Sequence, residues 1–439
     1  MQRKTSFIHN RRNLIITISA LLVVSSLAIY GWQGLEKGGD PPEQSDNITG
    51  IDLTGRTSDS EPASDIFVVC DTSGKDDGVA GLIDLMGVHG LFFYGSSQTG
   101  ENQGPGGLIA RDDVVLIKIN CQWDERGGTN TDLLGALIQA ILAHPDGFSG
   151  EIIVADNGQG QYGSSGGGGS LDWGRNNAED ISQSVQTVVD SFSMSANVST
   201  YLWDRITTKR VEEYSEGDME DGYVVNATVN PRTGVMVSYP KFTTEYGTRV
   251  SLKLGVWDPD IGAYDGERLK VINVPVLKSH SIYGVTACVK HYMGVPSDKL
   301  TAQMGSRTHD TVGSGGMGTL MVETRFPILN ILDAIWVNAN PPSGSTGAAG
   351  PSTPYHRATG VNAILASTDP VALDYWAAKH ILLQAAPQGV DTSSMDPDFA
   401  GYGSFGAWLR LSMHEISGAG YQATVDEGQM NVYVSGLGS

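Results

Sequence analysis

Apolar residues along this chain fall into two patterns. Short, nearly unbroken apolar runs rich in β-branched residues occur at 66–69, 114–117, 151–155, 271–277, 329–335 and 361–365. Runs of that length and composition predict strands buried on both faces. Between them, Leu133, Leu134, Leu137, Ile138, Ile141 and Leu142 recur at spacings of three and four. They predict a helix over 131–143 with Asn130 or Thr131 as its cap. Stretches 79–86 and 178–192 also read as helical, and Asp369-Pro370 opens a helix over 371–383, an aspartate cap followed by proline in the first turn. Strand, helix and strand in alternation predict an α/β fold: a mixed, largely parallel sheet flanked by helices, joined by right-handed crossovers.

Other segments break this alternation. Residues 1–32 place Arg3, Lys4, Arg11 and Arg12 ahead of an uncharged run from 14 to 32. At 19 residues that run is close to the ~20 that cross a bilayer, so it predicts a signal anchor or export signal. Basic residues before the span put the body on the extracytoplasmic side, membrane-anchored through this helix. Residues 33–64 have linker composition, and 65–439 form the α/β domain. Within it, 210–258 carries β-formers and turn dipeptides with no helical period, and predicts a β-rich insertion, read as a hairpin arm over the site. The glycine-rich loop at 158–170 lacks the lysine and the glycine spacing of a phosphate loop and reads as a surface loop.

Charge narrows the partners. The chain of 439 residues carries −21, and because residues 1–37 contribute +4 the remainder carries −25. Such a body repels nucleic acid. Three cysteines, Cys70, Cys121 and Cys288, are too few and too scattered for a disulfide framework or a four-cysteine metal site.

Against that acidity the stretch 269–309 stands out. The apolar run 271–277 ends in Lys278-Ser279-His280, and Lys290, His291, Lys299 and His309 follow. Charge directly after a buried strand is costly unless the strand end faces a cleft. Polar residues recur at the ends of other apolar runs: Lys118 and Asn120, Asp156, Asp333, and Asp369 with Asp374 beyond. Ile282, Val285, Val289 and Tyr292 define an apolar helical face, which leaves Thr286 and Lys290 one turn apart on another. His291 reads as a satisfied histidine. Lys278, His280 and Lys290 are the candidate catalytic groups. Lys118, Asn120, Asp156, Thr286, His309, Asp333 and Asp369 are the candidate ligand-binding groups. As a strand-end charge, Lys278 is expected to contribute little to stability.

Lysines and histidines converging in a cleft suit a small anionic ligand, a carboxylate or phosphate, and a lysine crowded by others can act as a base. A second chemistry sets His280, His309 and Asp156 or Asp333 around a metal, without compact ligand spacing to support it. Three classes stay open: an enzyme acting on a small anion, a non-catalytic binding or sensor protein, and a redox or surface interaction protein.

The motifs VLIKIN at 115–120, VPVLKSH at 274–280, VTACVKHYMG at 285–294, LDAI at 332–335 and ASTDPVALD at 366–374 together resemble the family known as domain of unknown function 362, over roughly 65–383. The resemblance implies a prokaryotic α/β protein, often exported and sometimes fused to a ferredoxin-type iron–sulfur module. This chain has no clustered cysteines for such a module, so a redox role would need a separate partner. The family commonly has Pro where Ile119 stands and Asn where His291 stands. It has no settled activity or cofactor.

Overall fold

Along the strand Val114–Ile119 every side chain is buried, and successive residues enter opposite layers. Val115, Ile117 and Ile119 join one apolar cluster with the helices Gly78–Val88, Thr131–Leu142 and Val185–Ser193. Val114 and Leu116 join the other, with the helices Gly316–Glu323, Pro370–Ala377 and Phe405–Gly418. A strand covered on both faces needs apolar residues at every position, which is why the run is continuous. Lys118 is the exception, and it marks the site.

The computed structural model describes residues 64–159, 168–341 and 352–437. The anchor expected at 1–32 and the linker up to Ala63 lie outside them. Among the described residues no helix is long and apolar enough to cross a membrane.

A sheet of ten strands runs through the domain. Its central order is Thr359–Ser367, Leu329–Asn338, Leu269–Val274, Val114–Ile119, Glu151–Asp156, Val198–Leu202. The sheet is largely parallel: Thr359–Ser367 and the short Gly284–Thr286 run against the rest. From Val114–Ile119 the chain crosses one face to Glu151–Asp156, and from Leu269–Val274 it crosses the other to Leu329–Asn338. Connections leaving on opposite faces open a crevice at the carboxyl ends of these two neighbours.

Three elements differ from the sequence reading. The run 271–277 is two strands, Leu269–Val274 and Val276–His280, because Pro275 has no N–H for a ladder. Beyond Val274 the pairing with Val114–Ile119 ends, and the Val276 amide instead donates to Asn120 Oδ1 at 2.9 Å. The apolar spacing from Ile282 is not one helix. Gly284–Thr286 pairs antiparallel with Val276–His280, Ile282 is exposed in the turn, and the helical part is confined to the turn Cys288–His291 and the 3-10 turn Tyr292–Gly294. A hairpin plus one turn mimics a 3–4 spacing over so short a window. The helix expected over 178–192 begins at Val185, where the Ser184 hydroxyl accepts the Thr187 amide.

The insertion is a five-stranded antiparallel sheet from Gly222 to Asp265. It is no arm over the site: Tyr223, Val237, Phe242 and Val250 lie in the same apolar cluster as Leu116 and Val271.

Candidate functional site

At the crevice the strand ends surround a cavity of about 190 Å³. Asn120 and Asp156 reach it from the ends of two parallel strands, Lys278 and His280 from Val276–His280, and Thr286 from the partner strand, opposite Lys278 in the ladder. Lys290 comes from the single turn Cys288–His291, which is too short to hold itself. The Asp374 carboxylate, from the helix Pro370–Ala377, accepts the amides of Cys288 at 2.7 Å and Val289 at 2.9 Å. This cap from a distant helix fixes where Lys290 points.

Most of the wall presents hydrogen-bond donors. Asn120 spends its oxygen on the Val276 amide, so its NH₂ is left for the cavity. His280 Nδ1 accepts the amides of Ile282 and Tyr283, each at 3.1 Å. The proton of the neutral ring is therefore on Nε2, and His280 offers a donor rather than a lone pair. That tautomer removes His280 from the metal reading. The Thr286 hydroxyl and Trp123 Nε1 are buried with no partner among the described residues.

Carboxylates do not balance the lysines here. Both Asp156 oxygens are occupied, Oδ1 by Lys118 Nζ and Oδ2 by the Cys121 amide, each at 2.9 Å. Gly294 makes that pair possible, since a Cβ there would lie 2.5 Å from Asp156 Oδ1 and 2.6 Å from Lys118 Nζ. Lys278 is 1 % exposed and donates to the Gly127 carbonyl at 2.5 Å. Lys290 is 5 % exposed, with its Nζ 5.8 Å from the Tyr283 ring centroid and no hydrogen bond or ion pair among the described residues. Burial, reinforced by Lys290, lowers the Lys278 pKa to about 7. Burial alone lowers Lys290 to about 7. Burial, with Lys290 beside it, also drives His309 down to about 3, so its imidazole is neutral.

Of the residues expected at the site, Asn120, Asp156, Thr286, Lys278, His280, Lys290 and His309 line the cavity. Lys118 lies beneath it, committed to Asp156. Asp333 sits mid-strand in Leu329–Asn338 rather than at an end, and accepts the amides of Asn130 and Ile335. Asp369 caps its helix and also receives Ser64 Oγ and the Thr424 amide. Neither faces the cavity. Lys299 is exposed and outside the wall. His291 does line it, yet both ring nitrogens contact oxygens, of Asn273 at 2.7 Å and Ile119 at 2.8 Å. Complete burial of Lys278 also changes its expected stability role: alanine there would leave a hole and an unsatisfied carbonyl, costing about 2 kcal/mol.

The sequence reading missed Gln122, Trp123, Asn157, Gln159 and Arg307. The first four directly follow strand ends already singled out, and that adjacency was the available signal.

Comparison with known families covers the part of this wall that carries Lys278 and Lys290. Residues 267–379 match the family described as domain of unknown function 362. The resemblance read from the motifs is borne out over this segment. No curated protein and no solved structure matches the chain. The DUF362 segment contributes Lys278, His280, Thr286, Lys290, Arg307 and His309, together with the Asp374 cap. Asn120, Trp123 and Asp156 come from earlier in the chain.

Proposed function

We propose that this chain is an enzyme that binds a small carboxylate- or phosphate-bearing molecule in the cleft and acts on it with Lys290. The observation carrying the reading is the Lys290 amine: buried, without an acid to neutralise it, among donors with unspent hydrogen bonds. A buried donor set is stabilised when an anion supplies the missing acceptors. Lys278 would hold the anion, the Asn120 NH₂ and the His280 N–H would orient it, and Lys290, with its pKa near 7, would move the proton. The basic, apolar segment at 1–32 supports an anchored protein with an extracytoplasmic body.

Native purification with mass spectrometry of the co-purified ligand tests the site. A bound organic acid or phosphoester, lost on Lys290→Met, is the expected result. Ligand retained in that variant overturns the assignment. A ligand recovered chemically unchanged after prolonged turnover assays would place the chain among binding proteins instead.

A further inference from the structure

We propose that Lys290 is a Schiff-base nucleophile, and that the substrate carries a ketone or aldehyde next to its anionic group, as in a 2-oxo acid. This rests on the anion reading above and narrows it. The two lysines differ in how they are held. Lys278 is tied to the Gly127 carbonyl and stays a fixed donor. Lys290 is anchored by its helical turn, but its amine contacts no acceptor among the described residues and lies near the face of Tyr283. Two buried ammonium groups in one small cavity disfavour each other, so one charge and one free amine is the arrangement they reach most readily. A ligand with only an anionic group offsets that repulsion and draws on both as ammonium groups, whereas one that also has a carbonyl meets Lys278 as the charge and Lys290 as the free amine.

The chemistry balances without a cofactor. The Lys290 nitrogen attacks the carbonyl carbon, forming the C–N bond while the C=O π pair moves to oxygen. The His280 N–H and the Thr286 hydroxyl are the wall donors placed to stabilise that oxyanion. Both amine protons leave with the oxygen as the C–O bond breaks, releasing water and leaving the imine. The reaction needs the amine unprotonated, and burial provides that near neutral pH.

The full-length chain, incubated with pyruvate or glyoxylate and sodium cyanoborohydride, should acquire a reduced adduct mapped by peptide mass spectrometry to Lys290. The exposed Lys299 should stay essentially unlabelled. Labelling should rise about tenfold per pH unit below 7, following the free amine, and slow when inorganic phosphate competes. Binding is measured in parallel by calorimetry without reductant. Pyruvate that binds but is never trapped overturns the imine and leaves the anion reading standing. Labelling spread equally over Lys299 and Lys290 also overturns it. If neither oxo acid nor phosphate binds, both readings fall. Mapping on the unmutated chain removes any dependence on a variant folding. Lys290→Arg, which keeps the charge, should retain phosphate binding and lose the adduct.

Discussion

Two buried polar clusters in this molecule end differently. In the insertion, the Glu213 carboxylate accepts the hydroxyls of Tyr239 at 2.8 Å, Ser251 at 2.9 Å and Tyr264 at 2.5 Å. Nearby, Lys241 donates to the Asp218 carbonyl and lies 4.1 Å from the Tyr214 ring centroid. Each of these four donors has an acceptor inside the protein, although the neighbouring Tyr214 hydroxyl and Trp257 Nε1 have none among the described residues. In the cleft, Lys290, Thr286 and Trp123 have none among the described residues. Both clusters place lysines and tyrosines under cover, so composition does not separate them. What separates them is whether the buried lysine's hydrogen bonds close. A closed set specifies packing, and an open one is completed from outside.

The comparison can be broken most severely from the closed side. Glu213→Ala strands three hydroxyls, two of them buried, and should cost about 3 kcal/mol in chemical denaturation. Calorimetric binding of phosphate should be untouched, and loss of binding at full stability would reverse the roles assigned to the two clusters. Gly294→Ala should cost about 2 kcal/mol by driving Lys118 from Asp156. Its cost should vanish in a background where both are replaced by apolar residues of similar volume.

Protonation sharpens the contrast. Asp333 and Asp369, raised to about 6, and Asp374, raised to about 7, all by burial, keep protons in the folded state that the unfolded chain has released. Each of the three contributes a fall in stability as pH rises from about 4 to 7, against the rise contributed over much of that window by the buried, neutral His280, His291 and His309. Lys278 and Lys290, lowered to about 7, have the opposite sign: above that pH the unfolded chain binds more protons. Above pH 7 their sign prevails, and stability should rise towards pH 10 in melts without ligand. Lys290→Met should flatten only the alkaline limb. The smallest effect belongs to that same substitution at neutral pH. Removing an unpaired buried amine should leave stability unchanged or raise it by about 1 kcal/mol, while abolishing the rise in Tm that phosphate gives the parent. A large loss of stability would show that the Lys290 amine has a structural partner.

The sheet was legible because strands covered on both faces must be apolar throughout, and the runs at 66–69, 114–117 and 151–155 carry that constraint openly. Lys278, His280 and Lys290 were legible for the converse reason, as charges where that constraint should exclude them. Asp333 and Asp369 were misassigned because a carboxylate that caps backbone amides and one that faces a ligand look alike at a strand end. The Cys288–His291 turn was hidden because its stability comes from Asp374, 86 residues downstream, and no local pattern encodes such a partner. Gln122 and Gln159 were passed over as ordinary loop polarity.

The strand Ser64–Cys70 has its partners at the other end of the chain. It pairs with Thr359–Ser367 on one side and Met430–Gly436 on the other. As a ribosome makes this protein, that strand emerges first among the described elements, and both neighbours emerge hundreds of residues later. Its apolar side chains must wait, covered by something else or by nothing, until Met430–Gly436 has been made. The domain therefore closes only once that late strand has emerged, and a chain truncated before Met430 would leave the edge of Ser64–Cys70 open for pairing with another molecule.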